Sequence, residues 1–273
     1  MFRLTPKNLL FIKRYLTRRN RALSYYSSKL EEIERWSSSY TEFSNFYYDL
    51  EESNLKDLAS LLALVLNVKY ELVMNYFAEI QNDVDLRSHI LKYFALSKSL
   101  KDSKAEYARR VGWYAIARIL KPATIVETGV AQGMGSCILS LALLKNSNEG
   151  AEGRYYGTDV DQNAGGMYSE PYSNFGEIIY GDSIQSLKHL NITIDLFIND
   201  SNHDSDYEKS EYETINEHLN KKSFILGDNS HVSDSLRDFS IANNREYVFF
   251  REVPKDHWYP GAGIGISYVR QDT

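Results

Sequence analysis

The spacing of apolar positions changes near residue 104. Over the first hundred residues they recur at helical intervals, as in Leu50, Leu55, Leu58, Leu61, Leu62 and Val65, with few Gly or Pro residues between them. That stretch predicts helices only. Beyond it, short β-branched runs alternate with helical segments, as expected of a parallel sheet covered on both faces. The pattern predicts a helix over 103–120, stopped ahead of Pro122. Strands follow at 124–127, 154–158, 177–180, 194–198, 223–226, 247–251 and 263–268, with helices at 135–145, 183–190, 206–219 and 233–242. No helix separates the last two strands, so an antiparallel hairpin should end the sheet. The expected architecture is α/β: a Rossmann-like, doubly wound, seven-stranded sheet with a C-terminal antiparallel hairpin, preceded by an all-helical region. The boundary is expected between 1–103 and 104–273.

Composition narrows the classes of function. A net charge of -6 argues against a general nucleic-acid binder, which needs a basic surface to displace counterions from phosphate. The charge is uneven, however. Residues 1–30 hold Arg3, Lys7, Lys13, Arg14, Arg18, Arg19, Arg21 and Lys29 and no acidic residue, with Leu9, Leu10, Phe11, Ile12, Tyr15 and Leu16 among them. Such a basic amphipathic helix suits an anionic membrane surface or an acidic partner, and a solvated edge or an oligomer contact is the plainer reading. No run reaches the roughly eighteen apolar residues of a membrane span, the longest being 61–68 and 138–144. No secretory leader is read at the N-terminus. Cys137 is alone, which excludes an intramolecular disulfide, fits a reducing cytoplasm and reads as a small core residue. Tyrosines cluster at Tyr25, Tyr26, Tyr40, Tyr47 and Tyr48 and read as core or interface.

The strongest local signal is the run Ile125-Val126-Glu127-Thr128-Gly129-Val130-Ala131-Gln132-Gly133-Met134-Gly135-Ser136, a strand entering a Gly-rich turn and a helix. Glycines there let backbone approach a ligand and present N–H groups at a helix start. The spacing G-x-x-x-G-x-G is not the dinucleotide fingerprint G-x-G-x-x-G, which makes a dehydrogenase a distant reading. The next strand ends in Asp159, with Asp161 two residues on, about thirty residues beyond Glu127. A carboxylate so placed can accept two hydrogen bonds from a ribose diol. The third strand ends in Gly181-Asp182-Ser183, the fourth in Asn199-Asp200-Ser201-Asn202-His203, and the fifth in Gly227-Asp228-Asn229.

This order of motifs, over roughly 104–270, resembles the class I S-adenosylmethionine-dependent methyltransferases. The last two resemble those of the metal-dependent catechol O-methyltransferase-like and macrolide-sugar O-methyltransferase groups. The resemblance implies cofactor contacts at Glu127, Gly129, Gly133, Gly135, Ser136, Asp159, Asp182, Ser183 and Asp200. It implies Mg²⁺ on Asp200, Asp228 and Asn229, with His203 as general base. Three oxygens would leave a hard cation positions for a substrate diol, whose hydroxyl pKa the metal would lower. The more usual D-x-D-[HK] reads D-S-N-H here. The implied activity is O-methylation of a small molecule, a sugar or diol-bearing metabolite being favoured, by a homo-oligomer whose 1–103 region is a lid or an interface.

Two other readings stay open. One keeps the cofactor without the metal, with His203 as sole base for an O- or N-acceptor. The other is a non-catalytic binding module of the same fold. Polar residues also cap helices after parallel strands, so Asp200, Asp228 and Asn229 have a structural alternative. His231 is read as a substrate contact or a helix-start residue, and the loop from His257 to Gly265 as a pocket wall or a plain turn.

Overall fold

The computed structural model describes residues 6–38, 48–97 and 104–270; Arg3, Tyr40, Tyr47 and Ser103 lie outside them. Five helices precede the sheet: α1 Pro6–Tyr25, α2 Ser27–Ser37, α3 Glu52–Val65, α4 Tyr70–Gln81 and α5 Val84–Leu96. The body then runs α6 Arg110–Leu120, β1 Thr124–Thr128, α7 Met134–Asn148, β2 Arg154–Asp159, β3 Gly176–Tyr180, α8 Ser183–His189 and β4 Ile194–Asn199. It ends with α9 Ser205–Ile215, β5 Leu219–Asp228, α10 Ser235–Ala242, β6 Glu246–Arg251 and β7 Gly263–Tyr268.

The seven strands lie in the order β3-β2-β1-β4-β5-β7-β6. β1 to β5 are parallel, and β7 runs antiparallel between β5 and β6, so the expected doubly wound sheet and terminal hairpin are both present. The chain leaves β1 for β2 on one side and returns to β4 on the other. The crevice at the carboxyl ends of β1 and β4 is therefore the switch point at which such sheets bind ligands.

Alternating side chains of the central strands feed two cores. Ile125, Leu196, Ile198 and Leu226 face α7, and Val126, Phe197 and Ile225 face Tyr212, Leu236 and Phe239 of α9 and α10. The first core continues through Trp113 and Ile116 into Leu58, Leu62, Phe77, Ile80, Ile90 and Phe94. Helices α3 to α5 are thus a second layer behind α6 and α7, sharing one apolar core with the sheet. Cys137 is buried there. α1 is exposed along its whole length.

Two predicted boundaries are displaced by tertiary contacts. The helix expected over 103–120 begins at Arg110. The Ala108 N–H donates to the Tyr48 carbonyl at 2.8 Å with Ala108 held at φ 48°, out of helical geometry, and the Arg109 N–H donates to Glu252 at 2.9 Å, so the helix starts only after Ala108, capped at Arg109. The helix expected over 206–219 stops at Ile215 and continues as a short 3-10 turn, Asn216–His218. Leu219 already pairs with Ile194 in the sheet, which makes β5 longer than predicted.

Candidate active site

The crevice holds a cleft of about 330 Å³ lined by Gly129, Ala131, Thr158, Asp159, Val160, Gly181, Ser183, Asp200, Ser201, Asn202 and Tyr207. Gly129, Asp159, Ser183 and Asp200 thus meet on one surface although up to seventy-one residues separate them. The Asp159 carboxylate accepts from the N–H groups of Ala131 and Asp161, each at 2.9 Å, which ties the end of β2 to the Gly-rich turn. Thr158 adds a buried hydroxyl that, among the described residues, has no hydrogen-bond partner. Asp182 caps α8 by accepting from the Gln185 N–H and also accepts from the Tyr207 hydroxyl, each at 2.9 Å. Ser183 is shared between Tyr207 and Glu211.

The glycines of the turn do their first work inside the chain. At Gly129, with φ 82°, a Cβ would collide with the Asp200 carbonyl where the β1 and β4 loops cross. At Gly135 a Cβ would strike the Glu127 carboxylate. Glu127 is buried beneath the first turn of α7, where it accepts from Tyr155 and, at 3.2 Å, from Ser136. Burial pushes its carboxyl up to about 7, against the lowering effect of Tyr155 and the Arg110 charge. Glu127, Gly133, Gly135 and Ser136 therefore form the floor behind the cleft lining. α5 braces the turn as well: the Tyr93 hydroxyl donates to Gln132 at 2.6 Å, and a His89 ring nitrogen pairs with the Met167 carbonyl at 2.7 Å.

Beyond Asp200 the site is charged. Ligating atoms of Asp200, His203 and Asp228 lie within 4.8 Å of one another. Arg109, a residue the sequence reading did not single out, lies against them. Its Nε and Nη2 donate in a fork to the two oxygens of Asp228, the second at 2.5 Å, and its Nη1 reaches Glu252 at 3.4 Å. Arg109, Asp228 and Glu252 are all buried. Arg110 approaches Asp200 at 3.9 Å and lies 5.3 Å from the Trp113 ring centre. Burial and then the Asp228 charge push the Asp200 carboxyl well above its ordinary range. Burial works the same way on Asp228, but Arg109 outweighs it and holds that carboxyl low.

His203 has a partner on each ring nitrogen. Nδ1–H donates to Glu208 at 3.3 Å, and Nε2 accepts from the Asn229 amide at 3.0 Å, with Asp200 at 3.9 Å. Glu208 is buried and accepts also from Ser233. The Asn229 side chain thus faces His203. The aromatic loop after β6 turns inward: His257 packs on Tyr48 and Trp36, and Gly261, at φ 90°, passes where a Cβ would collide with the Glu252 carbonyl. His231 is exposed. Sequence signals for the missed residues do exist. Arg109-Arg110 opens a helix whose remaining face is apolar, so both cations require buried carboxylates, and Glu208 stands one turn into α9, within reach of His203.

Residues 126–230 match the family model described as a methyltransferase domain. No curated protein matches the chain. A solved structure of a putative O-methyltransferase from Klebsiella pneumoniae is 12% identical with a TM-score of 0.51, over 81% of this chain and 99% of its own. The O-methyltransferase TomG from Streptomyces achromogenes, involved in tomaymycin synthesis and solved with S-adenosylmethionine, is 13% identical with a TM-score of 0.47, over 84% and 93%. An O-methyltransferase from Bacillus cereus, solved with S-adenosylhomocysteine, is 14% identical with a TM-score of 0.45, over 80% and 99%. The Klebsiella structure shares the fold. The matched segment runs from inside β1 to just past Asn229 and contains both halves of the site, so residues 126–230 are similar to a methyltransferase domain, on a fold that the Klebsiella structure shares.

Proposed function

We propose that the protein methylates a hydroxyl group of a small molecule, with His203 as general base and Arg109 as the resident cation of the site. The observation that carries this reading is the Glu208–His203 pair beside Asp200 at the rim of the cleft. A buried carboxylate accepting from Nδ1–H fixes the tautomer that leaves Nε2 as the basic atom, and it stabilises the imidazolium formed when Nε2 takes a proton. A hydroxyl reaching Nε2 takes the place of the Asn229 amide there. Bound S-adenosylmethionine supplies an electrophilic methyl group, and Asp159 and Ser183 are the side chains on the cleft that would hold its ribose and adenine ends. Val160, exposed on the same wall, offers the apolar contact an adenine ring requires. A hydroxyl is favoured over an amine because it must lose its proton to attack at neutral pH. The acceptor class we favour is a sugar or diol-bearing metabolite.

Magnesium is the second reading, supported by the convergence of Asp200, His203 and Asp228. Asp228 does not fit a dication as it stands, because a guanidinium that stays charged already forks its two oxygens. Helices α3 to α5 we read as a packed layer that braces the Gly-rich turn through Tyr93 and His89.

Calorimetry with S-adenosylmethionine and S-adenosylhomocysteine, in Mg²⁺ and then in chelator, tests the reading, followed by turnover on sugars and diols. Micromolar binding and turnover indifferent to chelator are expected, with affinity about 100-fold weaker in Asp159→Ala, which loses charge-assisted hydrogen bonds to the ribose. Turnover lost in chelator would move magnesium to first place. No binding of either ligand would leave the non-catalytic module.

A further inference from the structure

α1 is long, amphipathic and uncovered. Every residue from Pro6 to Tyr25 is exposed, including Phe11 at 71%, Leu9 at 53% and Leu16 at 47%. At about 100° per residue, Leu9, Ile12, Leu16 and Leu23 fall within one narrow strip, with Tyr15 at about a right angle to it, whereas Phe11 lies beside Arg18 and Leu10 among the basic residues. Lys7, Arg14, Arg18 and Arg21 fall on the opposite side, and Lys13 and Arg19 flank the apolar strip. The helix contains no acidic residue, although the whole chain carries a net charge of -6.

We propose that α1 is an interfacial helix that seats the protein on an anionic phospholipid surface. The two faces require different things at once. The apolar strip needs hydrocarbon, and the six cations need a dense negative charge at its edge; an anionic bilayer surface provides both within the width of one helix. A second α1 would supply apolar area but bring six more positive charges with no acid to meet them. The acidic remainder of the chain is available to the helix and leaves all of it exposed. The stems of Lys13 and Arg19, which flank the strip, are long enough to lie along it while their charged ends stay at the headgroups.

The attachment of α1 gives this surface a position relative to the active site. It continues into α2, which is fastened to the aromatic loop after β6 by the Lys29 ammonium donating to the His257 carbonyl at 2.9 Å and by Trp36 against Trp258, ring centres 5.6 Å apart. The same part of the molecule holds Tyr48 and Glu252, whose partner Arg109 reaches Asp228. The lipid surface would therefore lie on the Glu252 and Arg109 side. This inference does not depend on the acceptor or on the methyl-transfer reading, because the partitioning it predicts requires no turnover.

The test is flotation of the full-length protein with phosphatidylcholine vesicles containing phosphatidylglycerol in about a 3:1 ratio, and with phosphatidylcholine alone. Binding to the mixed vesicles only is expected, weakening as salt rises from about 0.1 M to about 0.5 M. The triple substitution Lys7→Glu, Arg14→Glu, Arg18→Glu should lower the partition coefficient by at least roughly 100-fold, since each basic residue contributes about fivefold. Leu9→Ser with Leu16→Ser, which keeps every charge, should also release the protein. Absence of binding to anionic vesicles overturns the proposal, as does binding that survives the Leu substitutions. A lipid-free dimer abolished by the same substitutions overturns it in favour of a second copy.

Discussion

The two halves of the sheet's carboxyl edge are built on different principles. In the cofactor half, β1 to β3, geometry is set by backbone: Gly129 permits the crossing of two loops, and Asp159 is held by two N–H groups of neighbouring turns. In the acceptor half, β4 and β5, geometry is set by charge. Asp200, Asp228, Glu208 and Glu252 are arranged around His203, Arg109 and Arg110, and the two arginines come from a helix that precedes the sheet. Backbone geometry of this kind is written in local sequence. The pairing of Arg109 with Asp228 and Glu252 is written across more than a hundred residues. The first half should therefore tolerate changes in charge nearby, and the second should fail when any one partner is removed.

The largest effect expected in the acceptor half is on turnover. His203→Ala should lower kcat by about 10²- to 10⁴-fold with the affinity for S-adenosylmethionine unchanged. Glu208→Gln should give a smaller loss with a displaced pH–rate profile, because the carboxylate stabilises the charged imidazole. Steady-state kinetics beside calorimetry separates the two effects, and an unchanged kcat in His203→Ala would remove the base from the mechanism.

Next comes stability. Arg109→Met leaves Asp228 and Glu252 buried without their cation and should cost about 3–5 kcal/mol in urea unfolding. Joining it to Asp228→Leu should cost less than the sum of the two single changes. The same variant sharpens the question of metal: with the fork gone, Mn²⁺ should bind in Arg109→Met and not in the wild type. Metal binding of equal strength in both would show that the guanidinium and a dication share the site.

The smallest effect belongs to the cofactor half. Glu127 takes up its proton more readily folded than unfolded, its carboxyl being raised from 4.5 to about 7. Its contribution to stability is therefore full below about pH 4.5 and lost as pH rises through about 7, a change of roughly 3 kcal/mol. Glu127→Gln should flatten the stability profile across that window. Equal slopes in the two proteins would mean that Tyr155 and Ser136 compensate fully for the burial of the charge.

Much of this was readable before any coordinates. The period of apolar residues distinguishes α3 to α5 from the sheet, and all seven strands appear within a few residues of their observed bounds, because a buried strand must alternate or be wholly apolar whatever surrounds it. Gly129, Asp159, Ser183 and Asp200 line one cleft because their motifs stand at strand ends, where the doubly wound topology gathers them. Local signals failed where a tertiary contact overruled them. The start of α6 moved because Tyr48 and Glu252 take the N–H groups of Ala108 and Arg109, and the end of α9 moved because Leu219 is claimed by β4.

What the sequence determined by itself was the order of elements, the Gly-rich turn between β1 and α7 and the amphipathic character of α1, each a matter of spacing along the chain. Only tertiary structure decided which charges meet. Nothing near Arg109 in sequence indicates that its partners are Asp228 and Glu252, and nothing near His203 distinguishes a base oriented by Glu208 from a ligand oriented by a metal. The reason is physical: helix and strand periodicities act over a few residues, whereas a buried ion is satisfied by whichever opposite charge the packed core brings within reach.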